Sequence, residues 1–108
     1  MNVRELSFEL NAKEVCLSNP NREIADLFAG DLLSYAMANA PADCAYFTIM
    51  NNVNVAAVAS CTDMAVIVVC DNVKADKNLT DAVFREGLNL IETKLDIASA
   101  VIKASKLK

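Results

Sequence analysis

Met64-Ala65-Val66-Ile67-Val68-Val69-Cys70, stopped at once by Asp71-Asn72, is the stretch on which the fold turns. Its branched aliphatic side chains suit a pleated, buried strand, and the aspartate–asparagine pair is a turn signal that ends it. Upstream, Ala45-Tyr46-Phe47-Thr48-Ile49-Met50 is a near-continuous apolar and aromatic run, as in a strand buried on both faces, and a cluster of Asn51, Asn52 and Asn54 interrupts it. Residues 53–61 between the two runs are Ala-rich and apolar on nearly every side, which suits a helix pressed between a sheet and another surface. Downstream, residues 76–86 read as a more polar helix that turns Leu79, Ala82, Val83 and Phe84 inward, with Gly87 at the left-handed capping position. A short strand over 88–91 follows. Thr93 and Asp96, at capping-box spacing, then open a last amphipathic helix carrying Leu95, Ala98, Val101 and Ile102.

The first half is less regular. Val3, Leu6 and Leu10 fit one helical face, while Leu6, Phe8 and Leu10 also alternate as a strand would; helix is the preferred reading. Residues 14–17 predict a short strand closed by Ser18-Asn19-Pro20-Asn21, and residues 24–28 a second one ended by Gly30-Asp31. Asp31 can cap a helix over 32–39, with Pro41 as its stop. Strand and helix alternate through the second half, which implies right-handed crossovers and largely parallel pairing. The expected architecture is α/β: a three-layer fold with a small, mostly parallel sheet and helices on both faces.

Composition narrows the function classes. With 108 residues, 55% of them hydrophobic and only two Gly and two Pro, the chain reads as one domain over residues 1–108 with one modest core. The absence of histidine removes the usual general base and the commonest metal-ligating ring, so the expectation is no enzyme, no metal and no cofactor. A net charge of -4 and a pI near 4.6 have the wrong sign for a phosphate backbone, which argues against nucleic acid as a partner. Lys103, Lys106 and Lys108 read as a solvated helix end, favourable at the negative pole of the helix dipole. Residues 2–5 are not a secretory start, so a cytoplasmic location is expected. The longest uncharged stretch, 44–62, has the length of a membrane span but carries the asparagine cluster in its middle, and no membrane association is expected.

Cys16, Cys44, Cys61 and Cys70 lie 28, 17 and 9 positions apart, without a C-x-x-C pair. All four read as reduced, buried, structural thiols. Phe28, Tyr35, Tyr46, Phe47 and Phe84 read as core aromatics.

The segment Gly30-Asp31-Leu32-Leu33-Ser34, the run 36–40, Phe47-Thr48-Ile49 and the run 52–59 together resemble the DRTGG-domain family, whose members are similar to the N-terminal domain of HPr kinase/phosphorylase. The resemblance extends over nearly the whole chain, through the Gly87-x-x-Leu90 step to the last helix. Where the family pattern has Asp-Arg this chain has the cluster 51–54, and where it has Thr-Gly-Gly it has Cys70-Asp71-Asn72, as in a stand-alone subgroup. The resemblance implies a small α/β domain accessory to redox or hydrogenase-related enzymes. The only glycines are Gly30 and Gly87 and neither precedes a lysine, so there is no phosphate loop and no kinase activity is expected.

In open parallel sheets ligands bind at the carboxyl ends of strands, where loops enter helices. Gly30, Asp31 and Ser34 follow one predicted strand, Asn51, Asn52 and Asn54 another, Asp71 and Asn72 a third, and Thr93 with Lys94 the last. They form a candidate ligand rim suited to a small anionic ligand. The competing reading makes Asp31, Asn52 or Asn54, and Thr93 plain helix caps. Asp31 with Asp71 could also pair as carboxylates if their loops adjoin. Two functions follow. One is a non-catalytic interaction or assembly module, a homodimer or the partner of another protein; the alternative is a regulatory domain that binds a small ligand such as a nucleotide or anion.

Overall fold

A computed structural model describes residues 1–107; Lys108 of the basic C-terminal trio lies outside the described residues. The elements run α1 (Val3–Glu9), β1 (Lys13–Leu17), β2 (Asp26–Ala29), α2 (Leu33–Asn39), β3 (Cys44–Thr48), α3 (Asn54–Cys61), β4 (Val66–Val69), α4 (Lys77–Glu86), β5 (Asn89–Glu92) and α5 (Ile97–Ser105). The result is a small α/β fold of five helices and one five-stranded sheet in the order β1-β5-β4-β3-β2.

The sheet is mixed. β2, β3, β4 and β5 pair in parallel as the alternation predicted, whereas β1 runs antiparallel to β5, with a bulge between Glu14 and Cys16. Sequence periodicity carries no information on which strand a terminal hairpin-less segment will join, so this edge was not legible. β3, β4 and β5 are buried along their whole length. Side-chain alternation divides the core between the two faces. Cys44, Tyr46, Ile67, Val69 and Leu90 point to the face that carries Ala36 of α2, Val55 and Ala59 of α3 and Leu79 and Val83 of α4. Ala45, Phe47, Val66, Val68 and Ile91 point to the other, against Val3 and Leu6 of α1 and Ala100 and Ala104 of α5.

Some local readings hold and others are corrected. Phe8 is 88% exposed while Leu6 and Leu10 are buried, which is the helical phase and not the strand one. In α5 the buried positions are Ala100 and Ala104, with Ala98 and Ile102 outside, because the small alanines allow the helix to lie close on the sheet. Tyr35 and Phe84 are exposed rather than core, Tyr35 stacking on the half-buried Phe28. Cys61 is exposed, since it sits on the outer face of α3; Cys16, Cys44 and Cys70 are buried, and all four are free. Gly87 does take the left-handed cap at φ +69°. Lys103 and Lys106 stand at the end of α5 as expected.

At the amino ends of the parallel strands, Arg22 ties two loops together. Its Nη2 donates to Asp43 Oδ1 at 2.8 Å, Asp63 Oδ1 at 3.0 Å and the Asp63 carbonyl at 2.8 Å. Asn89, buried at the start of β5, donates to the Asn19 and Ala65 carbonyls and accepts from the Asn19 amide. It thereby closes β1 onto the sheet.

Candidate functional site

The carboxyl ends of β2, β3, β4 and β5 share one edge, and the topology makes one place on it different. The chain leaves β2, β3 and β4 toward the same face, because α2, α3 and α4 all pack there. It leaves β5 toward the opposite face, where α5 packs. Within the parallel part of the sheet, neighbouring loops therefore diverge only between β4 and β5. Such a divergence is where open α/β sheets form a crevice.

The turn after β4 lies across this divergence and is tied to the loop after β5. Asp71 and Asn72 adopt φ of +62° and +60°, a left-handed pair that short polar side chains tolerate, and the Val73 amide closes the turn on the Cys70 carbonyl at 3.2 Å. The Asp71 amide donates to the Leu95 carbonyl at 2.7 Å and the Asn72 amide to the Thr93 carbonyl at 3.0 Å. Asn51 holds the same loop from the β3 side: its Nδ2 donates to the Lys74 carbonyl at 2.7 Å, and its carbonyl accepts from the Asp76 amide at 3.0 Å. Under the loop lies Glu92, the last residue of β5, 6% exposed and on the same face as Leu90. Glu92 Oε2 accepts from the Ala75 amide at 2.8 Å. Glu92 Oε1 is buried without a hydrogen-bond partner among the described residues. The Lys74 ammonium stands 3.8 Å from it, beyond hydrogen-bond reach, on a side chain that is 60% exposed. Lys74 Nζ also lies 3.5 Å from Asn72 Oδ1. A buried carboxylate is costly unless its oxygens are paired, and half of this one is left facing a solvated lysine.

The predicted rim residues thus separate into groups. Asn51, Asp71 and Asn72 are joined through the loop after β4, Asn51 by its bonds to Lys74 and Asp76, Asp71 and Asn72 by theirs to Leu95 and Thr93. Asp31 does not cap α2, whose N-cap Leu32 makes no side-chain capping bond; its carboxylate accepts from Thr48 Oγ1 at 2.8 Å and from the Ile49 amide at 2.9 Å, so it ties the β2 loop to β3. Gly30 joins the same tie, its carbonyl accepting from the buried Tyr46 hydroxyl at 2.7 Å. The Asp31 carboxylate is engaged by the end of β3, and the Asp71 amide by the β5–α5 loop. Asn52 Oδ1 accepts from the Asn54 amide at 2.9 Å ahead of α3, whose N-cap residue Val53 makes no side-chain capping bond. Ser34 and Asn54 are exposed on α2 and α3. Thr93 is buried and turned to the α1 side, donating to the Leu10 carbonyl and accepting from the Leu95 amide, so Asp96 rather than Thr93 caps α5. Lys94 lies on that same side in a cleft with Glu9 and Lys103.

Glu92 is the residue that sequence reasoning missed. It follows Asn89-Leu90-Ile91 and reads as the polar end of a strand; one available signal was that Leu90 and Glu92, two apart, share a face. Among the described residues no group of three His, Cys, Asp or Glu side chains gathers as a metal site, and no helix is long and apolar enough to cross a membrane.

No family model matches the sequence, and no curated protein matches it either. Among solved structures the chain is similar to the CBS and DRTGG domains of the regulatory region of a Clostridium perfringens pyrophosphatase, solved in complex with its activator diadenosine tetraphosphate. The TM-score is 0.78 at 10% identity. The likeness covers 94% of this chain and 44% of that one, so the chain spans less than half the length of its structural neighbour. The shared property is the fold.

Proposed function

We propose that this chain is a non-catalytic regulatory domain that binds a small nucleotide-like ligand at the carboxyl end of the sheet, where the loops after β4 and β5 part. The observation that carries the reading is Glu92 Oε1, a buried acceptor without a hydrogen-bond partner at the one divergence of the parallel loops. The neighbouring fold belongs to a regulatory region that takes an adenine dinucleotide as activator, which supports the ligand class. The DRTGG resemblance, including similarity to the HPr kinase N-terminal domain, and a three-layer, mostly parallel architecture belong to the same proposal, as does a cytoplasmic setting. Thermal shift with diadenosine tetraphosphate, ATP, AMP and adenosine tests it. A ligand at a hundredfold excess over its Kd stabilises the native state by about 2.7 kcal/mol, which moves the melting point of a domain this size by roughly 10 °C or more. Absence of a shift with all four compounds would remove the reading.

A second reading, self-association, is favoured by a groove of about 230 Å³ between α3 and α4. Val53, Ala56, Ala57 and Ala82 line it, Arg85 and Glu86 stand beside them with opposite charges, and α3 itself carries no charge. A second copy related by a twofold axis could set Arg85 against the partner's Glu86. Sedimentation that finds only an 11.6 kDa species at micromolar concentration would exclude this.

A further inference from the structure

The two edges of the sheet are built differently. β1 is guarded: it carries Lys13 and Glu14, it is interrupted by the bulge between Glu14 and Cys16, and Arg4 of α1 reaches across to Glu14 at 3.8 Å. Charge and a bulge are the devices by which an edge strand discourages further pairing. β2, Asp26-Leu27-Phe28-Ala29, has no bulge, no lysine and no proline. Its register shows which backbone groups are spare. Ala29 pairs with Phe47 and the Gly30 amide donates to the Phe47 carbonyl, so Phe28 turns its amide and carbonyl toward β3 while Leu27 and Ala29 turn theirs outward. The outward amide of Leu27 is held by its own neighbour, Asp26 Oδ1, at 2.8 Å. The Leu27 carbonyl and both groups of Ala29 have no hydrogen-bond partner among the described residues.

The helix beside this edge is open too. α2 meets β2 through the Phe28–Tyr35 stack, ring centroids 6.1 Å apart, and no charged residue occurs from Leu32 to Ala42. Leu32 and Tyr35, three apart on one flank of α2, are 67% and 58% exposed. In a chain of net charge -4, an uncharged flank is where two copies approach with least repulsion.

We propose that β2 is the seat of a twofold dimer, β2 against β2 antiparallel, which joins two sheets into one of ten strands. The strand is complementary to itself. With the axis at Phe28, Leu27 of each copy exchanges both backbone bonds with the partner's Ala29, and Asp26 gives up the Leu27 amide to the partner's carbonyl. Phe28 meets the partner's Phe28 as a close pair that continues the stack begun by Tyr35. Asp26 falls opposite the partner's Gly30, which leaves the two Asp26 carboxylates about 14 Å apart and largely screened at physiological salt. The axis stands perpendicular to the sheet, so α2 faces the partner's α2. Leu32 and Tyr35 each hold on the order of 100 Å² in solvent; with the strand edge around them, two copies cover on the order of 1,000 Å², the low end of specific interfaces and the range of a reversible dimer. This surface lies apart from the α3/α4 groove and does not rest on the ligand reading.

Sedimentation of the intact chain tests the dimer. Wild type should pass from 11.6 kDa toward twice that mass as concentration rises, over a range of about 10 to about 500 µM. Ala29→Pro removes an outward donor without touching the bonds to β3, and Leu32→Glu puts like charges on both sides of the axis; each should weaken association about tenfold or more. Hydrogen exchange on wild type supplies a readout that needs no variant. The Ala29 amide should exchange about tenfold more slowly at the highest concentration than at the lowest, while the Phe28 amide, bonded to β3 in either state, stays constant. A chain that remains at 11.6 kDa throughout, with Ala29 exchanging freely, overturns the inference and leaves the edge to a strand of another protein. A dimer that leaves Ala29 exchange unslowed, or that survives both Ala29→Pro and Leu32→Glu, also overturns it; dispersal of that dimer by Arg85→Glu would assign it to the α3/α4 groove.

Discussion

Raising the pH to about 10 should destabilise this protein through two thiols that never meet solvent. Burial, with help from Asp26, pushes Cys44 from its ordinary 9.0 up to about 11, and burial pushes Cys70 up to about 12. Both side chains are completely enclosed, at 0% exposure. Below the ordinary value both states hold the thiol protons, and the pair contributes no pH dependence. Above it the unfolded chain sheds them while the native state keeps them, so the unfolded state binds fewer protons and stability falls as pH rises. Between about pH 8 and pH 10 the two thiols together remove roughly 3 kcal/mol, a large share of the 5–15 kcal/mol typical of a domain. Urea denaturation of wild type and of a Cys44→Ala/Cys70→Ala variant at both pH values isolates this term. The cavity cost of the alanines is the same at each pH, and Tyr46, also raised by burial, is common to both proteins. The variant should therefore lose roughly 3 kcal/mol less than wild type over the interval. Equal losses, within about 0.5 kcal/mol, would refute the assignment of two buried, protonated thiols.

Two further outcomes follow from local geometry. Native thiol titration near pH 8 should find one promptly reacting cysteine, Cys61, with the other three appearing only on denaturation; rapid reaction of two or more would contradict the burial of Cys16, Cys44 and Cys70. Gly87→Ala should cost about 1 kcal/mol in chemical denaturation, because the left-handed φ of +69° disfavours a Cβ even though nothing stands within 4 Å of where it would be placed. A neutral substitution there would mean that the cap relaxes.

The succession of elements was legible because each core strand is an apolar run bounded by turn residues, and because Asp76 and Gly87 mark α4 at both ends. Partnerships across the chain were not. Asp31 has the right type and position for a cap, but two donors from β3 compete for its carboxylate and win. Thr93 likewise turns away from the predicted rim to a carbonyl of α1's C-cap residue, Leu10. Of the residues read as a rim, Asn51 and Asn72 meet Lys74, and the group beneath that loop, Glu92, gains its surroundings only from the loop folded over it. Burial of a charged residue at a strand end depends on tertiary cover, which no local pattern encodes.

The place of β5 in the sheet bears on how the chain reaches this fold. Lys13 of β1 pairs with Glu92 of β5, and Asn89 locks onto Asn19, so the earliest strand finds its partner only in the latest one. Until then β4 and β1 each present an open edge. Loop closure over so long a separation comes late and lowers the folding rate, while β2, β3 and β4, joined by short crossovers, can assemble first. A nascent chain stalled before Asn89 would thus carry a three-stranded parallel nucleus with an apolar flank exposed. That places the window of greatest aggregation risk during synthesis, in the interval just before β5 emerges.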